Sequence, residues 1–279
     1  AGILIFVSLI VTLYSYFLNS DVFIYAGIFA WIALVLLFKD IVKKSLLILL
    51  IGITSLIIIY SLTKGFDINF EKAILVNQHL LTLLIGVGFL KLIATPKKRK
   101  IKHLPKGKNS FLKTYLGVHL FGSVINLSSL ILVADKLYKT APLSNVQIIL
   151  LTRAFSSDAY WSPFFVAFAA AITYAPNLST SVILINGLIL ALIAFIFTYF
   201  EVLKSKKYDF KEFNGYPIHF ETLYIPALLA VFVMSINAYF PQLKNIILIS
   251  FFAVILTIII LPMKVGLKKS FKSFYPYFA

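Results

Sequence analysis

The sequence contains no cysteine, and only 13% of its residues are charged. Without cysteine the chain can form no disulfide and no thiolate-bound metal site. Its 4 histidines are too widely scattered to indicate zinc, so we expect no metal and no cofactor. Arginine is almost absent as well, because Arg99 and Arg153 are the only ones among 26 basic residues.

Apolar residues are what the sequence has in excess. They make up 61% of the chain, with a mean hydropathy of +0.96, whereas soluble domains contain roughly 45–50%. The formal net charge of +16 would indicate nucleic acid as the partner of a soluble protein. In a membrane protein its first explanation is the retention of lysines on the cytoplasmic side. We therefore expect a lipid bilayer, and no nucleic acid, as partner.

Apolar runs of nearly membrane-spanning length recur along the chain. They predict an all-α, polytopic membrane protein with about eight transmembrane helices. The predicted spans are 2–18, 22–38, 45–62, 79–94, 146–175, 182–200, 222–239 and 244–262. We expect the first to be retained rather than cleaved as a signal peptide, because no basic stretch precedes it and no small-residue cleavage site follows.

The lysines predict the orientation. Residues 97–113 contain seven lysines and Arg99 but no acidic residue, which is typical of a cytoplasmic loop that can also bind anionic lipid headgroups. The loops 39–44 and 201–221 and the tail are basic as well, whereas 63–78 is neutral. We expect the basic loops and the amino terminus on the cytoplasmic side of the cell (inner) membrane.

Residues 115–180 must begin inside and end outside, although two apolar segments lie there. The first has a polar centre, 122–129, and we expect a re-entrant hairpin at about 115–135. Irregular backbone at membrane depth is tolerated where it is buried in protein or lines a cavity. The second segment, about 146–175, is too long for one straight helix. We expect it to break near Phe155 to Pro163.

Charged and aromatic residues mark this second segment. A charged side chain at the bilayer centre costs about 3 kcal/mol, so Arg153 and Asp158 need an explanation. Either the two pair and only pin the break, or Arg153 binds an anion through its planar guanidinium while Asp158 coordinates Na⁺ or carries a proton. Tyr160 and Trp161 either mark the membrane interface or form the wall of a pocket.

The predicted hairpin carries four further polar candidates. Asn126 needs several partners at the midplane and can coordinate a cation. Ser128 and Ser129 are equally well explained as interhelical hydrogen-bond partners, worth about 0.6 kcal/mol each. His119 is better explained as a satisfied polar residue one turn from the tip than as a proton relay.

A helix containing Gly86 and Gly88, a hairpin with a Ser/Asn-rich tip and a helix interrupted by a serine-rich motif follow one another along the chain. This succession, over residues 22–200, resembles the first half of the ion transporter superfamily. That group includes arsenite exporters, NhaD-type sodium/proton antiporters and sodium-coupled dicarboxylate carriers. The resemblance implies an inverted-repeat transporter fold in which hairpin tips and helix breaks bind an anion and a coupling cation.

The resemblance also implies residue roles and a domain organisation. Substrate binding falls on Ser123, Asn126, Arg153, Ser156, Ser157 and Ser162. Binding of the coupling ion falls on Asn126, Ser128, Ser129 and Asp158. Residues 1–21 would form a peripheral helix, 22–200 the first repeat, 201–221 a cytoplasmic linker and 222–279 the start of a second repeat, whose own hairpin is expected beyond Ala279.

We therefore predict a secondary transporter that moves a small anion coupled to Na⁺ or H⁺, with a homodimer as an allowed assembly. A structural subunit of a larger membrane assembly is the alternative. An intramembrane enzyme built on His119, Ser156 and Asp158 is a third reading. No motif of a hydrolase or metalloprotease supports this third reading.

Overall fold

The structure is a computed structural model that describes residues 1–94, 104–125, 127–175, 177–204, 213–216 and 224–278. The first part of the basic loop 97–113, most of the loop 201–221 and Asn126 lie outside these ranges. Within them the fold is all-helical, as the sequence predicts, and contains no strand.

Thirteen α-helices are present in the described ranges. They are α1 Gly2–Phe17, α2 Phe23–Leu36, α3 Lys44–Thr63, α4 Phe70–Leu75, α5 Gln78–Ala94, α6 Lys108–Ile125, α7 Leu127–Tyr138, α8 Asn145–Asp158, α9 Val166–Tyr174, α10 Thr180–Lys204, α11 Tyr224–Tyr239, α12 Asn245–Val265 and α13 Leu267–Phe278.

Four helical stretches are long and apolar enough to cross a membrane: Lys44–Thr63, Phe70–Ala94, Thr180–Val202 and Asn245–Val265. Shorter apolar helices cover Gly2–Phe17, Ser20–Leu36 and Ala227–Tyr239. An aqueous surface would not tolerate so many exposed apolar side chains. The protein is therefore a membrane-embedded helical protein, as its composition predicts.

The chain divides into two compact units, the first formed by residues 1–85 with 270–279. In this unit α1 packs along α2. Gln78 is buried, and its amide donates to the hydroxyls of Ser8 and Thr12 on α1, both at 2.7 Å. A buried amide needs such partners because desolvation is costly. These bonds join α1 to the beginning of α5 within this unit.

The second unit comprises residues 86–269. Its core joins α6, α7, α8 and the end of α10 in one apolar cluster. The buried members are Phe111, Tyr115, Val118, Val133, Leu137, Val146, Leu150, Leu151, Ala154, Val202, Phe213 and Tyr216. Elsewhere in this unit α5 meets α12 closely, because a Cβ added at Gly86 would lie 2.8 Å from Ser250 Cα.

Residues 213–216, which follow α10 in the chain, form a short segment docked on this core. Its peptide groups bond to Pro105 and Gly107 just before α6, at 2.8 and 3.0 Å. The Gln147 amide in the first turn of α8 donates to it at 2.7 Å, and its last N–H donates to Thr114 Oγ1 on α6 at 2.7 Å. The 213–216 segment therefore ties together the beginnings of α6 and α8.

Candidate functional site

The first element of the site is the interruption between helices α8 and α9. α8 ends at Asp158 and α9 begins at Val166, so the interruption overlaps the predicted break. Pro163 cannot donate a helical hydrogen bond and disfavours helical geometry in the residue before it. Within the break, the Ser162 hydroxyl accepts a hydrogen bond from Phe164 N at 3.2 Å. The same hydroxyl donates to Ser123 O and so joins the break to α6.

The backbone of this interruption also lies close to α10. A Cβ added at Gly187 would lie 2.1 Å from Tyr160 O and 2.9 Å from Trp161 Cα. Only glycine allows the backbone of the break to reach α10 at this position. The break is therefore packed between α6 and α10.

Asp158 occupies the end of α8 with a side chain that is completely buried. Its Oδ1 lies 2.6 Å from Nδ1 of His119 on α6, an ion-pair distance. Neither carboxylate oxygen has a hydrogen bond of good geometry among the described residues. An ionised carboxylate in such a place is costly unless a proton or cation joins it. The site is therefore a buried acid with one basic neighbour.

The surroundings of His119 fix which ring nitrogen carries its proton when the ring is neutral. Trp161 donates its indole N–H to Nε2 at 3.1 Å, so Nε2 is an acceptor and the proton is on Nδ1. Nδ1 faces Asp158 Oδ1, Ser157 Oγ at 3.0 Å and Ala154 O at 3.1 Å. The ring is thus clamped between α8 and the break.

Gly122 makes room for the carboxylate. A Cβ added there would lie 1.9 Å from Asp158 Oδ2 and 3.1 Å from Ser129 Oγ on α7. Residues seven apart in one continuous helix are about 10.5 Å apart along its axis, so α6 and α7 do not lie on one continuous helical axis. Residues from three helices consequently meet around Asp158.

A cavity of about 750 Å³ adjoins this group within the same unit. Residues of α6, the break, α9, α10, α11 and α12 line it, and Ser123 and Trp161 are among them. Trp161 thus links the two, since it is a lining residue of the cavity and its N–H donates to His119. The cavity and the acid–histidine pair share this wall.

One end of the cavity is polar. Asn237 of α11 donates to Asn245 Oδ1 at the start of α12 at 2.5 Å, and Asn245 donates to Thr180 Oγ1 at the start of α10 at 3.0 Å. All three side chains are among the lining residues. This hydrogen-bonded chain ties together the ends of three helices.

Arg153 is not paired with Asp158. Its guanidinium bonds to Glu201 Oε2 on α10 at 2.5 Å, and the two side chains are 39% and 55% exposed. Arg153 does not line the cavity. The predicted charged centre of Arg153 and Asp158 is therefore replaced by two separate pairs, an exposed one with Glu201 and a buried one with His119.

The other predicted site residues are distributed unevenly. Ser157 and Ser162 are buried beside Asp158, and Ser123 is buried at the cavity. Ser156 is exposed, and its hydroxyl donates to Arg153 O at 3.3 Å. Ser129 is fully buried near Gly122. Asn126 and the side chain of Ser128 lie outside the described part of the chain.

The sequence favours a satisfied polar residue over a proton relay at His119, and it does not single out Asn237 or Asn245. One signal was present: His119 and Gly122 are three residues apart, so they share a face of α6. Which helix this face meets depends on tertiary packing. Comparison of the chain with protein-family models, curated proteins and solved structures gave no match.

Proposed function

We propose that the protein is a proton-coupled membrane carrier in which Asp158 and His119 form the proton-binding pair. The observation that carries this proposal is the completely buried Asp158 carboxylate beside His119, where α6, α7 and the end of α8 meet. Ionisable groups at membrane depth are costly and typically serve ion or proton pathways. The site therefore favours transport above the other functions considered.

The neighbours of Asp158 favour a proton over Na⁺. A hard cation takes a shell of oxygen ligands, whereas the group nearest to Oδ1 is a ring nitrogen at 2.6 Å. Imidazole is the side chain best suited to exchange a proton near neutral pH. We accordingly place H⁺, and not Na⁺, at the centre of the proposal.

The arrangement of helices supports a midplane site. The proximity of Gly122 to Ser129 supports a hairpin tip, and the bond from Ser162 to Ser123 O joins that tip to the break. Discontinuous helices that meet at the bilayer centre are the usual place for coupling sites in carriers. We propose that α6 and α7 enter and leave by one face and that about eight spans complete the fold.

The predicted small anion receives no comparable support. Its recognition depended on Arg153, whose guanidinium is engaged by Glu201 outside the cavity. We therefore propose the coupling centre without an anion-binding role for Arg153.

Transport driven by a pH gradient tests the proposal. Purified protein in proteoliposomes with a trapped pH dye is given panels of candidate solutes, and solute flux should run with a proton flux. Asp158→Asn should abolish the proton flux because its amide cannot exchange a proton. The matched control is Asp135→Asn, which removes an exposed carboxylate paired with Lys139 and should behave as wild type.

Infrared difference spectroscopy supplies a readout that needs no substrate. A carboxyl band that appears and disappears with pH should be lost in Asp158→Asn and retained in Asp135→Asn. An unchanged spectrum and an unchanged proton flux in Asp158→Asn would contradict the assignment.

A structural subunit of a larger assembly is the second candidate, favoured by α3. None of the residues in the spanning window of this helix, Lys44–Thr63, is buried. A photoreactive residue at Leu56, which is 69% exposed, should give adducts with another protein in the native membrane if α3 is an interface. Lipid adducts alone would count against the subunit.

The enzyme alternative receives no support from the distances around His119. In a serine–histidine–acid relay, the two nitrogens of the ring contact the nucleophile and the acid separately. Here Ser157 and Asp158 both face Nδ1, and Trp161 engages Nε2.

The orientation is tested by cysteine labelling, since the native chain has no cysteine. Single cysteines replacing Lys98 and Asn69 should react from the cytoplasmic and the outer side, respectively. Labelling of both from the same face would contradict the proposed topology.

A further inference from the structure

We infer that the cavity beside Trp161 binds an uncharged, mainly apolar small molecule that carries a hydrogen-bonding group at one end. This inference names the substrate class of the proposed carrier and so builds on that function. It concerns equilibrium binding, however, which can be measured without any gradient.

The walls determine the polarity of the ligand. They are formed chiefly by aliphatic and aromatic side chains such as Phe164, Phe168, Leu184, Leu188 and Val233. No Asp, Glu, Lys, Arg or His is among the described residues that line the cavity. An ion placed here would lose its hydration without gaining a counter-charge. This desolvation costs on the order of several kcal/mol. The cavity consequently favours neutral molecules.

Trp161 does not alter this conclusion. Its indole N–H is directed to His119 Nε2 at 3.1 Å, so the donor of the ring is already used. Trp161 therefore offers a ligand in the cavity no free side-chain donor.

The polar end provides a place for one uncharged hydrogen-bonding group. Within the chain of Asn237, Asn245 and Thr180, the bonds use Nδ2 of each asparagine and the oxygen of the threonine hydroxyl. The Asn237 carbonyl oxygen and the Thr180 hydroxyl hydrogen are not used in these two bonds. They can accept from and donate to a hydroxyl or amide of a ligand.

The size of the cavity fits such a molecule. Its volume of about 750 Å³ lies within the range of roughly 300–1,000 Å³ that is usual for small-molecule sites. A ligand of two or three rings, or a medium-length chain with a terminal hydroxyl, would occupy it.

Tryptophan fluorescence provides the test, because the chain has only two tryptophans. Trp31→Phe leaves Trp161 as the only tryptophan, and the signal is the quenching of its fluorescence by direct contact with bromine. The probes are a bromonaphthyl methanol and the carboxylate and methylammonium analogues of the same ring. They match in shape and differ in charge. Purified protein in detergent is titrated with each probe at constant pH.

We expect saturable quenching by the alcohol, with a Kd at least about tenfold lower than that of either ion. Equal quenching by all three probes, or quenching that rises linearly without saturation, would overturn the inference. This part of the test needs no substitution inside the cavity, so a failure to fold cannot obscure it.

A cavity-filling variant locates the binding. Ala230→Phe places a ring at a lining position and should abolish the saturable component. The matched control is Val231→Phe on the same helix, at a position that is 59% exposed and not part of the lining, and it should retain the component. Saturable quenching that survives Ala230→Phe would place the probe elsewhere and overturn the assignment.

A bilayer lipid could offer the same apolar chemistry, and nanodiscs distinguish this source. In nanodiscs with bromine on the lipid acyl chains, Trp161 fluorescence should not depend on Ala230→Phe. Quenching that this variant removes would identify an acyl chain as the occupant and overturn the assignment to a small molecule. Asp158→Asn should leave probe binding intact, so loss of proton flux and loss of binding report separately on the proposed function and on this inference.

Discussion

Gly122→Ala inserts a methyl group where the Asp158 carboxylate lies. The added Cβ would be 1.9 Å from Oδ2, whereas ordinary contacts begin near 3.4 Å. The carboxylate would have to retreat by about 1.5 Å, the difference between these distances, and it is already 2.6 Å from His119. Overpacking of this kind costs about 1–3 kcal/mol. Replacing a helical glycine by alanine stabilises a helix by up to about 1 kcal/mol. We therefore expect the free energy of unfolding to fall by about 1–2 kcal/mol.

Unfolding in mixed micelles, followed by far-ultraviolet circular dichroism during titration with SDS, measures this loss. The steric origin is isolated by a double-mutant cycle with Asp158→Ala, which removes the atoms that clash. In that background Gly122→Ala should no longer destabilise the protein. The proton flux of Gly122→Ala should also fall, because its acid is displaced from His119.

A Gly122→Ala protein as stable as wild type, with unchanged proton flux, would refute the reasoning. A cost of the same size in the presence and absence of the Asp158 carboxylate would also do so, since the clash would then involve other atoms.

The remaining predictions concern positions away from Asp158. Gly86→Ala should destabilise the protein by a net of about 1–2 kcal/mol, because its Cβ would lie 2.8 Å from the Ser250 backbone and the gain in helix propensity offsets part of the cost. Gly88→Ala meets no heavy atom within 4 Å and should be neutral or stabilising by up to about 1 kcal/mol; the same SDS titration measures both, and equal effects would contradict the packing. Arg153→Lys should leave stability and flux unchanged, since the pair with Glu201 is partly exposed. A strong loss of flux in proteoliposomes would instead restore the anion-binding role.

The helices and the interruption of the second apolar segment follow from local properties of the sequence. The apolar runs predict helices long enough to span a bilayer, and Pro163 with its preceding serine predicts the end of a helix. Both effects depend on neighbouring residues only, so no tertiary information is needed. The attachment of α1 to α5 cannot be predicted in this way. It depends on hydrogen bonds from Gln78 to Ser8 and Thr12, which lie about seventy residues away in the chain.

The site shows the same limit. Arg153 and Asp158 are five residues apart, which is about 140° around a helix, and α8 continues without a break to Asp158. The two side chains therefore point to different neighbours, Glu201 and His119. Sequence spacing could exclude a direct pair only if the position of the break were known to one residue. The choice of His119 as partner required the packing of α6 on α8.

The 213–216 segment has a consequence for the order in which the protein assembles. Its bond to Thr114 spans 102 residues of chain, and its bond to Gln147 spans 67. During synthesis, helices α6 and α8 emerge long before the residues that tie their beginnings together. Contacts so distant in sequence form late because closing a long loop costs chain entropy. The packing that joins the beginnings of α6 and α8 can therefore be completed only after α10 has been made and the ribosome has passed Tyr216.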